Sequence, residues 1–214
     1  MINEYTWHTF PNLGYIHFII PEEDLKPIRS EVKQLLKTKP ENLRMNANLA
    51  GNIEHEFRLK KCHNHIEKLL TPMADAYIKE FDYKDLHNLI LPDNTKGQWF
   101  INNIWCNEQQ RTEFNPAHLH TGILSFVIWL AVPFFKEQEK KLWPRTAPDQ
   151  RKAGDFDFFY TDALGNIKTH VLPVDKTWEG RAVIFPAKML HAVYPFFSTE
   201  QTRISISGNF FLKS

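Results

Sequence analysis

From Pro21 to about Lys37 the apolar positions recur at helical spacing, with Leu25, Ile28, Val32, Leu35 and Leu36 forming one stripe. Pro21 suits the first turn, and Glu22, Glu23 and Asp24 follow where carboxylates meet the positive end of the helix dipole. "KTKPEN" closes the segment, because Pro40 disfavours helix in the residue before it. A second helix is expected over 60–81, with Ile66, Leu69, Leu70, Met73, Tyr77 and Phe81 facing inward. After "LPDNTKG" the period drops to that of strands. Eight short ones are expected at Trp99–Trp105, Ala117–His120, Leu124–Val132, Phe156–Tyr160, Lys168–Leu172, Ala182–Phe185, Met189–Tyr194 and Arg203–Leu212. Turn signals such as "DALGN" (162–166) and "WEG" (178–180) separate them. The pattern predicts a mainly β chain with N-terminal helices: a double-stranded β-helix, or jelly roll, with the helices packed on one sheet. It is expected to be a single domain over 1–214, with 1–97 as helical cover and 98–214 as the jelly-roll core. Between the third and fourth strands, 136–152 ("KEQEKKLWPRTAPDQRK") is a polar, proline-broken insertion that reads either as a lid or as a solvated loop.

Composition narrows the classes. Lys and Arg number 26 against 25 Asp and Glu, so no overall charge favours a nucleic-acid partner, although the 136–152 insertion offers a local basic patch. Cys62 and Cys106 cannot build a disulfide framework, and a reduced intracellular setting is the simpler reading. "MINEYTWHTF" does not read as a signal peptide. The longest apolar run, "ILSFVIWLAVPFF", is too short to span a bilayer and contains a proline. A cytoplasmic protein without a membrane partner is expected.

The candidate chemistry lies in the strands. In "NPAHLHTG" His118 and His120 are two apart, so on a strand both project to one face while Leu119 points away. "FPAKMLHAV" brings in His191 after a proline turn. "RISISGNF" then puts Arg203, Ser205, Ser207 and Asn209 on one face and Ile204, Ile206 and Phe210 on the other. If the apolar face packs under the helices, Arg203 looks into the barrel. There it needs an anion: a bound carboxylate, or an interior Asp or Glu. Cys62, His63 and His65 in "KCHNHIE" diverge on a helix and read as a solvated face. The chain carries no phosphate-binding glycine loop, no nucleophile elbow and no dinucleotide fingerprint.

In order and spacing, "NPAHLHTGILSFVIWLAVP", "GRAVIFPAKMLHAVYP" and "RISISGNF" resemble the Fe(II)- and 2-oxoglutarate-dependent oxygenases, in particular the compact members of unassigned substrate that carry a similar His-x-His stretch. The likeness covers about 99–212. It implies that His118 and His191 hold Fe(II), with His120 as third ligand, and that Arg203, assisted by Ser205, binds the distal carboxylate of 2-oxoglutarate. It also implies that dioxygen is consumed and the cosubstrate leaves as succinate and carbon dioxide, usually with hydroxylation of a substrate. One departure is clear. The third ligand is ordinarily Asp or Glu, and His120 stands there instead, with Asp155 and Asp157 as the nearest downstream carboxylates. His120 also fills the space a halide would need. Two competing readings are a three-histidine cupin-type dioxygenase and a non-catalytic jelly-roll binding module. The cupin usually has a glutamate soon after the His pair, which "TGILSFV" lacks. The substrate is unidentified; a protein side chain or small molecule is favoured over nucleic acid.

Overall fold

The computed structural model describes residues 12–48, 50–81, 97–147 and 150–213. In chain order the strands and α-helices are β1 (Ile16–Ile19), α1 (Glu22–Thr38), β2 (His55–Arg58), α2 (His63–Glu80), β3 (Gln98–Gln109), β4 (Asn115–His118), β5 (Leu124–Ala131), α3 (Lys136–Lys141), β6 (Phe156–Thr161), β7 (Ile167–Leu172), β8 (Arg181–Pro186), β9 (Leu190–Val193) and β10 (Arg203–Lys213). They form two antiparallel sheets, a larger one in the order β1-β8-β5-β10-β3-β2 and a smaller one in the order β4-β9-β6-β7. This is the jelly roll the strand pattern predicts.

Strand β10 shows why the sheets face each other. Its outward residues Ile206 and Phe210 join Leu25 and Ile28 of α1 and Ile66, Leu70 and Tyr77 of α2 in one core. The inner face is packed by a second core, in which Val127, Trp129, Val183 and Phe185 meet Phe156, Phe158 and Leu172 of the small sheet. Burying these branched and aromatic side chains, at about 1.5–3 kcal/mol each, fixes the register that places the polar residues between the sheets. The helices therefore cover the sheet containing β10, as their apolar stripes require.

Several elements differ from expectation. The first half of the chain supplies more than helices: β1 and β2 cap the two edges of the large sheet, pairing with β8 and β3. Each is only four residues long, and β2 ("HEFR") buries a glutamate, so neither shows clear alternation in the sequence. Strand β3 runs four residues past Trp105 because Asn107 and Gln109 are polar yet buried on the inner face. Strand β4 ends at His118, two residues short of His120. The 136–152 insertion begins as a helix, Lys136–Lys141, that is tied into the protein by two of its charged residues. Lys136 is buried and donates to the Ala153 carbonyl (2.7 Å) and the Asp155 carboxylate, while buried Glu139 accepts from the backbone N–H groups of Phe197 and Ser198 (2.8 and 2.9 Å). These pairings are invisible in a linear charge pattern. His8 and His87, like "MINEYTWHTF", lie outside the described residues. Among the described residues, no helix is long and apolar enough to cross a membrane.

Candidate metal centre and anion pocket

His118, at the end of β4, lies directly opposite His191 of β9 in the ladder. His120 follows in the turn, where its backbone N–H donates to the Ala187 carbonyl at 2.8 Å. The expectation that both members of the pair share a strand face is thus replaced by a strand end and a turn, yet the rings still converge. Ring centroids are 4.3 Å apart for His118–His191, 4.8 Å for His118–His120 and 5.0 Å for His120–His191. Their ligand atoms all lie within 4.8 Å of one another.

Backbone carbonyls decide which nitrogens are free. Nδ1 of His118 is 2.7 Å from the Pro116 carbonyl and Nδ1 of His191 is 2.9 Å from the Met189 carbonyl. A carbonyl only accepts, so both Nδ1 atoms carry the hydrogen, and each Nε2 keeps its lone pair. Phe156 stacks on His191 at 5.3 Å and Phe185 meets it edge-on at 4.9 Å. Burial, reinforced by His118 nearby, pulls the His191 pKa down to about 3, and burial beside His118 takes His120 to about 4. His118 is lowered too, chiefly by burial. All three imidazoles are therefore neutral at pH 7, the form that ligates a metal. The two nearby acids do not join them. Asp155 is taken by Lys136. Asp157 pairs with Lys152 (3.0 Å) and, alternating with inward Phe156 and Phe158, faces away from His191.

Arg203 starts β10 opposite Gln109 of β3 and is 2% exposed. Its Nε and Nη2 donate to Gln109 Oε1 (2.9 and 2.6 Å), Nη1 to the Gly154 carbonyl (2.8 Å) and Nη2 to the Tyr194 carbonyl (3.0 Å). Phe134 and Phe196 lie 5.7 and 5.8 Å from its guanidinium carbon. Burial lowers its pKa to about 10, so it remains a cation. Every hydrogen-bond partner is neutral; among the described residues no carboxylate contacts it, and the buried acids Asp155 and Glu139 act on it only through space while paired elsewhere. One Nη1 hydrogen is left for a ligand.

Arg203, Ser205 and Ser207 line a cavity with His120 and His191 that measures about 30 Å³. On the other side of His118 and His120 opens a cavity of about 290 Å³, walled by Asn102, Asn103, Trp105, Asn209 and Phe211 among others. His120 lines both spaces. Sequence reasoning missed Gln109 and Asn107 by ending β3 at Trp105. The signal was present in the alternation Trp105, Asn107, Gln109, which mirrors Ser207, Ser205, Arg203 across the ladder. The donor set suits an iron ion, with three neutral nitrogen ligands at one end and a buried cation awaiting an anion at the other.

A family model described as "Putative 2OG-Fe(II) oxygenase" matches residues 103–209, half of the chain. No curated protein matches the sequence. Similar solved structures include a Pseudomonas putida prolyl-4-hydroxylase, 14% identical over 94% of each chain with a TM-score of 0.54. AviO1 from Streptomyces viridochromogenes is 11% identical over 94% of this chain and 91% of its own, with a TM-score of 0.51. The non-heme alpha ketoglutarate dependent epimerase SnoN from nogalamycin biosynthesis is 13% identical over 93% and 78%, with a TM-score of 0.51. At these identities the likeness is one of fold.

Proposed function

The chain belongs to the 2OG-Fe(II) oxygenase family, enzymes that use Fe(II), 2-oxoglutarate and dioxygen, and from that premise we propose that His118, His120 and His191 hold the iron while Arg203 and Ser205 bind the far carboxylate of 2-oxoglutarate. One observation carries this reading. Two of the three imidazoles share one cavity with a buried guanidinium that makes no direct contact with a carboxylate. When bound, iron together with 2-oxoglutarate and dioxygen supplies the oxidising power, and the cosubstrate leaves as succinate and carbon dioxide.

The protein's own part is to place and shield. The carbonyls of Pro116 and Met189 hold two imidazoles with Nε2 free, and Phe156 and Phe185 keep water from His191. Arg203 gives one N–H and full positive charge to the cosubstrate, an interaction strengthened by its burial. The substrate lies in the larger cavity beside His118 and His120, where the described lining has carboxamides and aromatic rings but no charged side chain. That wall favours an uncharged substrate, a neutral protein side chain or a small neutral molecule, and hydroxylation as the outcome. Two buried, unpaired cysteines fit the cytoplasmic setting.

The test is anaerobic. Adding 2-oxoglutarate to the Fe(II)-loaded protein should produce the visible charge-transfer band of the keto acid chelate. A three-histidine cupin-type enzyme or a binding module gives no such band, and its absence would discard this reading.

A further inference from the structure

Strand β3 carries a buried amide whose direction decides what the cosubstrate meets. Asn107 Nδ2 donates to Ser205 Oγ at 3.2 Å and to Ser207 Oγ at 3.3 Å. A hydroxyl oxygen that accepts from an amide N–H cannot return its own hydrogen to that nitrogen. Both serine hydrogens must therefore go elsewhere, and both serines line the cavity that holds Arg203. An acceptor-only group such as a carboxylate then meets an N–H and two O–H donors. This holds only while Asn107 keeps its nitrogen toward β10 and its oxygen toward β2.

What stands on the β2 side is Glu56, directly opposite Asn107 in the ladder, on the same face and 1% exposed. Glu56 Oε2 and Asn107 Oδ1 are both buried and both lack a hydrogen-bond partner. Two buried acceptors on facing residues with no donor between them cost free energy on each side, and one proton on the carboxyl removes both costs.

Resting on the site reading above, we infer that Glu56 is a positioning residue: as a neutral acid it donates to Asn107 Oδ1, fixes that amide, and so aims the Ser205 and Ser207 hydroxyls at the 2-oxoglutarate carboxylate. Its surroundings agree. Burial, and then the charge of Glu113, push its pKa up to about 8. The Glu113 carboxylate, in the loop after β3, is held by the backbone N–H groups of Glu54 and Gln110 and brings no counter-charge. On β3, Cys106 and Glu108 flank Asn107 on the opposite face, Glu108 paired with Lys39 at 3.2 Å. On β2 itself stand His55 and Arg58, with Glu54 just before the strand; Arg44, on the neighbouring segment, is turned to Glu41 and to the Glu54 carbonyl. On β10 the cations are Arg203, committed to Gln109, and Lys213 at the far end of the strand, over the Phe100 ring. From β4, Asn115 approaches beside Gly51, where Asn115 Oδ1 and Glu56 Oε1 lie 2.0 and 3.4 Å from the point a β-carbon would take. No basic side chain among the described residues forms an ion pair with Glu56.

Once ionised, Glu56 can only accept. Asn107 then turns its nitrogen to Glu56 and its oxygen to the serines, which swing their hydrogens back to it. The cosubstrate loses hydroxyl donors and gains a negative neighbour.

The experiment is calorimetric titration of 2-oxoglutarate into the Mn(II)-loaded protein from pH 6.5 to 9.5. The parent's dissociation constant should be flat at low pH, begin to rise near pH 8 and be at least tenfold higher by pH 9.5. Glu56→Gln, which keeps an N–H donor at every pH, should give a flat profile, and Glu56→Leu should weaken binding about tenfold already at pH 7. A flat parent profile, or a Glu56→Gln profile as steep as the parent's, overturns the relay, and the parent result stands even if a variant does not fold. A parent that binds no 2-oxoglutarate at pH 7 overturns the site reading itself, and the relay with it.

Discussion

Replacing Arg203 by leucine separates the anion site from the metal site. The guanidinium makes four hydrogen bonds, all to neutral acceptors on Gln109, Gly154 and Tyr194. None of these acceptors carries a charge, so on the proposed reading the guanidinium meets its first direct anionic contact in the cosubstrate. Losing one member of a buried, charge-assisted pair costs about 2–5 kcal/mol. At about 1.4 kcal/mol per tenfold, the dissociation constant of 2-oxoglutarate should rise roughly 30- to 4,000-fold. Folding stability is pulled two ways. Leucine strands the acceptors at about 1–3 kcal/mol each, but a desolvated charge no longer has to be buried, and the new methyl groups pack between Phe134 and Phe196. Arg203→Lys should fall between, because one ammonium keeps the charge but cannot span three acceptors in different directions. The assay is calorimetry of 2-oxoglutarate on Mn(II)-loaded protein, paired with a direct metal titration. None of Arg203's hydrogen bonds involves a histidine, so metal affinity should stay within a few-fold of the parent. An unchanged cosubstrate dissociation constant in the leucine variant would refute the assignment. Loss of both affinities with an intact near-ultraviolet dichroism signal would refute the separation of the two sites.

Substitutions at two further positions probe the supports. His120→Ala should weaken Fe(II) binding sharply, whereas His120→Asp should retain it by supplying the carboxylate the family ordinarily has; metal titration decides, and iron bound as tightly by the alanine variant as by the parent makes His120 structural only. Lys136→Met leaves the Asp155 carboxylate buried without its partner, at about 3–5 kcal/mol, or roughly 6–20 °C in Tm. Because Lys136 also holds the Ala153 carbonyl, next to the Gly154 carbonyl that Arg203 uses, 2-oxoglutarate binding should weaken as well. A melting temperature within a degree of the parent's contradicts the clamp.

What the sequence made legible was local. The alternation in "RISISGNF" sorted the two faces of β10 correctly because a central strand with unlike faces leaves period two undisturbed. The convergence of His118, His120 and His191 was readable as a set of residue types, but not as geometry. The pairing of His118 with His191 is a register between β4 and β9, and the turn after β4 supplies what strand alternation does not. Arg203's real partner was hidden for a plain reason. Gln109 is 94 residues away, and an amide in a strand carries no signal that it faces a guanidinium. Glu56 was hidden more deeply, since an acid in "HEFR" reads as exposed until the ladder with β3 shows which face it takes. Lys136 and Glu139 misled in the same direction, their charges being spent inside the protein.

The chain has 25 acidic residues, yet none lines the inner cavity among the described residues, where Arg203 is the one formal charge. Each nearby acid is disposed of differently. Asp155 is paired with Lys136, Asp157 with Lys152 on the far face of its strand, Glu139 is capped by two backbone N–H groups, and Glu56 stands behind Asn107. An acid left free inside would neutralise Arg203 and compete for it with the ligand, since a buried ion pair relieves the desolvation that makes a lone cation seek an anion. On the proposed reading, anion selectivity comes as much from keeping carboxylates out of this cavity as from placing one guanidinium within.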